Sequence, residues 1–148
     1  IKVLVVDDID MQIVRAVLQD GRISITELAD RVSMSAPAVT ERLRRLEQRG
    51  VIQHYQAVIN PEKLGYQLEA IVRLKPRPGA LKKVEDMIVQ QPRFTQCDKV
   101  TGDDCFIARL ALRSIAELDD LLDPFHDLAE SNTAIVKSSP VRMRLPVL

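Results

Sequence analysis

Residues 24–50 read SITELADRVSMSAPAVTERLRRLEQRG, and this stretch decides how the N-terminal part of the chain folds. Ile25, Leu28, Ala29 and Val32 recur at helical spacing and form one apolar stripe. Ser24-x-x-Glu27 has the form of a capping box, which opens a helix by satisfying its first free N–H groups. A break follows at Ser33-Met34-Ser35. A further helix starts near Ala36, with Ser35 as its cap and Pro37 tolerated in its first turn. Ala36, Val39, Leu43 and Leu46 are expected to face inward, and Gly50 stops the helix. A short helix, a tight turn and a longer helix make the helix-turn-helix pattern.

Working upstream, Ile9, Ile13, Ala16 and Val17 predict a first helix over residues 8–18, ended by Asp20-Gly21. Val3 to Asp8 looks like the first strand and acidic pair of a receiver domain. Such a domain needs a phosphoacceptor aspartate after a later strand, and no aspartate occurs between Asp30 and Asp86. Asp7 and Asp8 are better read as helix-capping groups, placed at the positive end of the dipole.

Working downstream, the period changes after Gly50. Val51 to Ile59 reads as an extended segment, and Asn60-Pro61 is a turn signal. Residues 62–66 act as a connector. Leu68, Ala70, Val72 and Leu74 share one face of a strand, closed by Pro76-Arg77-Pro78-Gly79. Leu81, Val84 and Ile88 give a helix closed by Pro92. Residues 94–101 and 105–112 read as two strands joined at Gly102-Asp103-Asp104. Ile115, Leu118, Leu122 and Phe125 give another helix, which Pro124 should shorten or kink. Residues 133–139 read as the last strand. Strand, helix, strand, strand, helix, strand is the ferredoxin-like order. The expected fold is α+β, with an N-terminal helix-turn-helix domain over residues 1–60 and a ferredoxin-like βαββαβ domain over 61–148. Two helices cover one sheet face only, yet Ile71, Ile107 and Ala111 fall on the other. That pattern points to burial against a second copy of the chain, a homodimer.

Composition sets the bounds. The chain has 148 residues, with 46% hydrophobic, 28% charged and 3% aromatic residues and no Trp. Its core must come from Ile, Val, Leu and Ala. No apolar run approaches the roughly 20 residues that cross a bilayer. The start lacks the basic region and cleavage site of a signal peptide, so a cytoplasmic location without membrane contact is expected. Cys97 and Cys105 form no disulfide framework and have no metal-type spacing with His54 or His126, so neither metal nor cofactor is expected. No Ser-His-Asp or Cys-His spacing supports catalysis, and no enzyme activity is expected.

Net charge is zero, which counts mildly against DNA binding, because phosphate contacts need a basic surface. The local balance differs: Arg42, Arg44, Arg45 and Arg49 outnumber Glu41 and Glu47 on the third helix. With the apolar stripe inward, that helix presents Glu41, Arg44 and Arg45, with Ala38 and Thr40 on its flanks. A recognition helix lies in the major groove of double-stranded DNA with its N-terminal residues on base edges. Ser35, Ala38, Thr40, Glu41 and Arg44 are then the candidate readers, and Arg42, Arg45 and Arg49 the candidate phosphate contacts.

The chain resembles the Lrp/AsnC family of bacterial regulators. The stretches that carry the likeness begin with DDIDMQIVRAVLQDGRISITELADRVSMSAPAVTERLRRLEQRGVIQHYQAVINPEKLGY and continue with VTGDDCFIARLALRSIAELDDLLDPF. The resemblance implies a DNA-binding transcription regulator with a winged-helix-like or extended helix-turn-helix domain, whose second, ferredoxin-like domain dimerises, often into octamers, and takes an amino-acid effector between subunits. The implied effector turn is Thr101, Gly102, Asp103 and Asp104. An amino acid's ammonium suits an aspartate there, and its carboxylate suits backbone N–H groups around Gly102. Many members carry an aromatic residue and then Asp after this turn, where this chain reads Asp104-Cys105-Phe106. The rival expectation is a DNA-organising protein with no effector response.

Overall fold

The computed structural model describes residues 6–103 and 105–146. They divide into two compact units, one of residues 6–58 with 143–146, the other of residues 59–142.

The first unit is three helices, α1 (Asp8–Gln19), α2 (Ile25–Val32) and α3 (Ala36–Gln48). Each begins on a side-chain cap. Asp7 accepts the Asp10 N–H at 2.8 Å, Ser24 accepts the Glu27 N–H at 3.1 Å, and Ser35 accepts the Ala38 N–H at 3.4 Å. Such caps contribute about 1 kcal/mol each. The turn between α2 and α3 is made by Ser33 at φ 54°, with the Met34 N–H reaching back to the Ala29 carbonyl at 3.0 Å. That is a Schellman-type closure built without glycine. Ile13, Val39, Leu28 and Leu46 are almost fully buried and join the three helices into one core. Ala36, expected inward, is exposed. It is the first residue of the helix, ahead of the turn that meets α1 and α2. Among the described residues, residues 53–60 form no strand, the expected extended segment has no ladder partner, and no wing hairpin follows α3.

The second unit begins with a 3-10 turn (Pro61–Leu64). Strand β1 (Leu68–Pro76), helix α4 (Leu81–Gln90), strands β2 (Phe94–Lys99) and β3 (Phe106–Leu112), helix α5 (Glu117–Leu122) and strand β4 (Ala129–Ile135) follow. The sheet order is β2-β3-β1-β4 with all neighbours antiparallel, the ferredoxin-like arrangement. Ala70, Val72 and Leu74 of β1 and Phe106, Leu110 and Leu112 of β3 pack under Val84 and Ile88 of α4 and Phe125. Pro124 ends α5 as expected: the helix stops at Leu122 and a 3-10 turn carries Asp123–Phe125.

The last strand lies four residues earlier than its β-branched residues indicated. Its register runs from Ala70 opposite Ile135 to Pro76 opposite Ala129, so the pairing partner β1, and not local propensity, sets its limits. The sheet face away from the helices carries Ile71, Ile107 and Ala111, all half-buried, together with an ion pair between Arg109 and Glu69.

Candidate nucleic-acid interface and effector region

Helix α3 turns Val39 and Leu46 into the core, and this fixes which side chains face solvent. Ser35, Thr40, Glu41, Arg44, Arg45 and Arg49 are exposed, and Ala38 is half-buried. The Thr40 hydroxyl donates to the Ala36 carbonyl at 2.8 Å, which occupies it within the helix. Arg44 forks onto Glu41, with Nε–Oε2 at 3.0 Å and Nη2–Oε1 at 2.6 Å, and Arg45 Nε lies 4.0 Å from the same carboxylate. The Arg44 hydrogen bonds are the main cause that lowers the Glu41 pKa and raises that of Arg44. Both side chains are about half exposed, at 52% and 51%. Exposed pairs of this kind are screened by water and worth little. A bidentate arginine–guanine contact discriminates by about 1–3 kcal/mol, so the pair does not bar Arg44 from DNA. The Arg49 guanidinium has no carboxylate partner among the described residues.

Arg42 is placed differently from its neighbours. Its side chain is only 19% exposed and turns towards α1, with Nη1 2.6 Å from Asp7 Oδ2 and 2.8 Å from Asp10 Oδ1. The Asp7 pKa is lowered first by the Asp10 N–H and then by Arg42; the Arg42 pKa is raised by both carboxylates. Asp7 was legible from the sequence as a cap. Its second duty towards Arg42, and the part of Asp10, were not. Beyond α3, Tyr55 donates to Glu47 at 2.8 Å and ties the following segment back to the helix. Burial, then the Glu47 hydrogen bond, pushes its hydroxyl up to about 12.

In the second unit, Thr101, Gly102 and Asp103 are exposed at the β2–β3 turn, and Asp104 lies outside the described residues. The Val100 N–H bonds the Cys105 carbonyl at 2.9 Å across the turn. Gly102 takes φ 111°, and a Cβ there would meet nothing within 4 Å. The glycine is therefore required by backbone conformation, not by crowding. A shallow hollow of about 180 Å³ lies on the open sheet face, lined by Ile71, Gln96, Asp98, Ile107, Ala108 and Arg109. Thr101, Gly102 and Asp103 do not line it. Among the described residues no group of three or more His, Cys, Asp or Glu side chains could hold a metal ion, and no helix is long and apolar enough to cross a membrane.

Comparison with known proteins adds the family. Residues 6–53 match winged helix-turn-helix DNA-binding domains, and residues 69–146 match the Lrp/AsnC ligand binding domain. The chain is 36% identical over 135 residues to the HTH-type transcriptional regulator LrpA of Mycobacterium tuberculosis, covering 86% of this chain and 85% of LrpA. The structure of Bacillus subtilis LrpC matches with a TM-score of 0.87 at 26% identity, over 95% of this chain and 100% of LrpC. A feast or famine regulatory protein from M. tuberculosis, complexed with L-methionine, matches with a TM-score of 0.82 at 32% identity, over 97% and 100% of the two chains. Helix-turn-helix unit, ferredoxin-like unit and relatives agree: the chain belongs to the Lrp/AsnC family of transcriptional regulators and is not an enzyme.

Proposed function

We propose that this protein binds double-stranded DNA sequence-specifically through α3 and that its second unit takes an amino-acid effector. The observation that carries the first part is the outer face of α3. Ser35, Ala38, Thr40, Glu41 and Arg44 form its N-terminal reading surface, and Arg45 and Arg49 lie further along it towards phosphates.

The effector is placed at Thr101, Gly102, Asp103 and Asp104, between two copies of the chain. Support comes from the glycine's open backbone and from the L-methionine complex of the relative. The half-buried residues Ile71, Ile107 and Ala111 support a homodimer, with octamers as its larger assembly. A cytoplasmic location follows from the same role.

Selection from a random duplex library tests the DNA reading. Enrichment of one site with approximate two-fold symmetry is expected, and failure to enrich any sequence contradicts it. Thermal shifts with the amino acids test the effector. A ligand at about 100 times its Kd adds roughly 2.7 kcal/mol of stability. No shift with any of them favours a DNA-organising protein without effector response.

A further inference from the structure

We propose that Arg42 is a positioning residue for DNA recognition: it locks α3 to the N-terminus of α1 through Asp7 and Asp10 and makes no contact with phosphate. This inference rests on the reading of α3 as the DNA-reading helix.

Two acceptors hold one guanidinium at 2.6 and 2.8 Å, and they come from 35 and 32 residues away in the sequence. They tie the middle of the third helix to the first turn of the first. Asp7 closes the lock on itself, since its other oxygen takes the Asp10 N–H at 2.8 Å and caps α1. The cap, the helix start and the clamp are one unit. Exposure separates Arg42 from the arginines around it: its side chain is 19% exposed, against 52% for Arg44 and 47% for Arg45. Charge points the same way. Two carboxylates around one guanidinium leave the cluster with a net negative charge, which repels a phosphate.

Geometry explains what the lock does. The residues of α3 buried most deeply are Val39 and Leu46, with Leu43 half-buried between them. Apolar packing decides which face of α3 turns inward but, being non-directional, does not by itself hold the outward side chains in one geometry. Base reading needs side chains held within about 0.5 Å of their productive geometry. Both charge-assisted hydrogen bonds leave one nitrogen, Nη1, held in the plane of the guanidinium, and a lysine ammonium, one bond shorter on a flexible stem, does not reach the same point between the two carboxylates. Arg42 sits one residue from Glu41 and two from Arg44, so its anchorage is transmitted directly to the reading face.

The test uses the full chain, wild type and the variants Arg42→Ala, Arg42→Lys and Asp10→Ala. Affinities for a selected duplex and for a scrambled duplex are measured across a salt series. Thermal melts identify a temperature at which every variant is folded. All three variants are expected to lose about tenfold or more in affinity for the selected duplex. Their affinity for the scrambled duplex and their salt slope are expected to stay at the wild-type values. Asp10→Ala is the sharpest arm, since it removes a negative charge and yet is expected to weaken specific binding. Three results overturn the proposal. In the first, Arg42→Ala weakens both duplexes equally and lowers the salt slope by about 0.9, as loss of one phosphate contact would. In the second, Asp10→Ala tightens binding. In the third, the variants melt lower but keep the wild-type ratio of the two affinities when folded, as a purely structural residue would. If wild type itself does not distinguish the duplexes, the reading of α3 fails first and this inference with it, a result visible without any variant.

Discussion

At Ser33 the helix-turn-helix turn is made by a residue with φ 54°, the one non-glycine residue of positive φ among the described residues. The left-handed conformation costs a residue with a Cβ about 1–2 kcal/mol. Ser33→Gly removes that strain at a smaller cost in unfolded-chain entropy, about 0.5–1 kcal/mol. The variant is expected to melt slightly higher with unchanged DNA binding; a lower melting temperature would show that the Ser33 side chain holds the turn. Arg49 makes a second test at this scale. Its exposed guanidinium lies at the end of α3, so Arg49→Ala is expected to weaken all duplexes alike and to reduce the salt slope by about one. A loss confined to one sequence would place it on a base. The cap residues Asp7, Ser24 and Ser35 were legible in the sequence because capping is local, three residues in reach. The partner of Arg42 was not, because no local rule links residue 42 to residues 7 and 10.

Among the elements, the three N-terminal helices were legible almost to their ends, since each has its own cap, stripe and stop. Strand β4 was not. Glu130, Ser131 and Asn132 carry little strand propensity, and only their pairing with Leu74 and its neighbours on β1 makes them a strand. The open sheet face was legible as apolar at Ile71 and Ile107, but its ion pair between Arg109 and Glu69 is a cross-strand contact that no one-dimensional pattern contains. If this face is the dimer surface, Ile107→Asp should give monomers while wild type stays dimeric or larger at micromolar concentration, as read by light scattering. Ile107 is half-buried and outside the helix-covered core, so the folded content should hold. A wild type that scatters as a monomer contradicts the assignment.

For the whole molecule, acid links the two units by a common mechanism. The Asp10 N–H and Arg42 lower the Asp7 pKa below its ordinary 3.8, and Arg93 together with the Arg113 N–H lowers that of Glu117 below its ordinary 4.5. The unfolded chain therefore takes up protons before the folded one as pH falls. The stability these carboxylates provide is complete above their ordinary values and is lost as pH falls through their folded values. Melting temperature is expected to change little on this account from neutrality to about pH 5 and to fall below it, with a shallower acid decline in Asp7→Asn. An identical decline in the variant would remove Asp7 from the explanation. The order of elements was legible as two domains, and the family likeness rested on residues spread over both. The proposed effector turn was least legible, because a turn such as Thr101–Gly102–Asp103 has the same residues whether or not a ligand meets it.

The central claim is that α3 reads DNA sequence through its exposed N-terminal face. Fluorescence anisotropy of wild type and Arg44→Ala, titrated on the selected duplex and on a scrambled one at a fixed salt concentration, tests it most directly. Wild type should prefer the selected duplex. Arg44→Ala should lose roughly 1–3 kcal/mol on that duplex, with relaxed preference at the base it contacts and a smaller change on the scrambled duplex. Equal affinity of wild type for both duplexes, or an Arg44→Ala variant with unchanged affinity and sequence preference, would contradict the account.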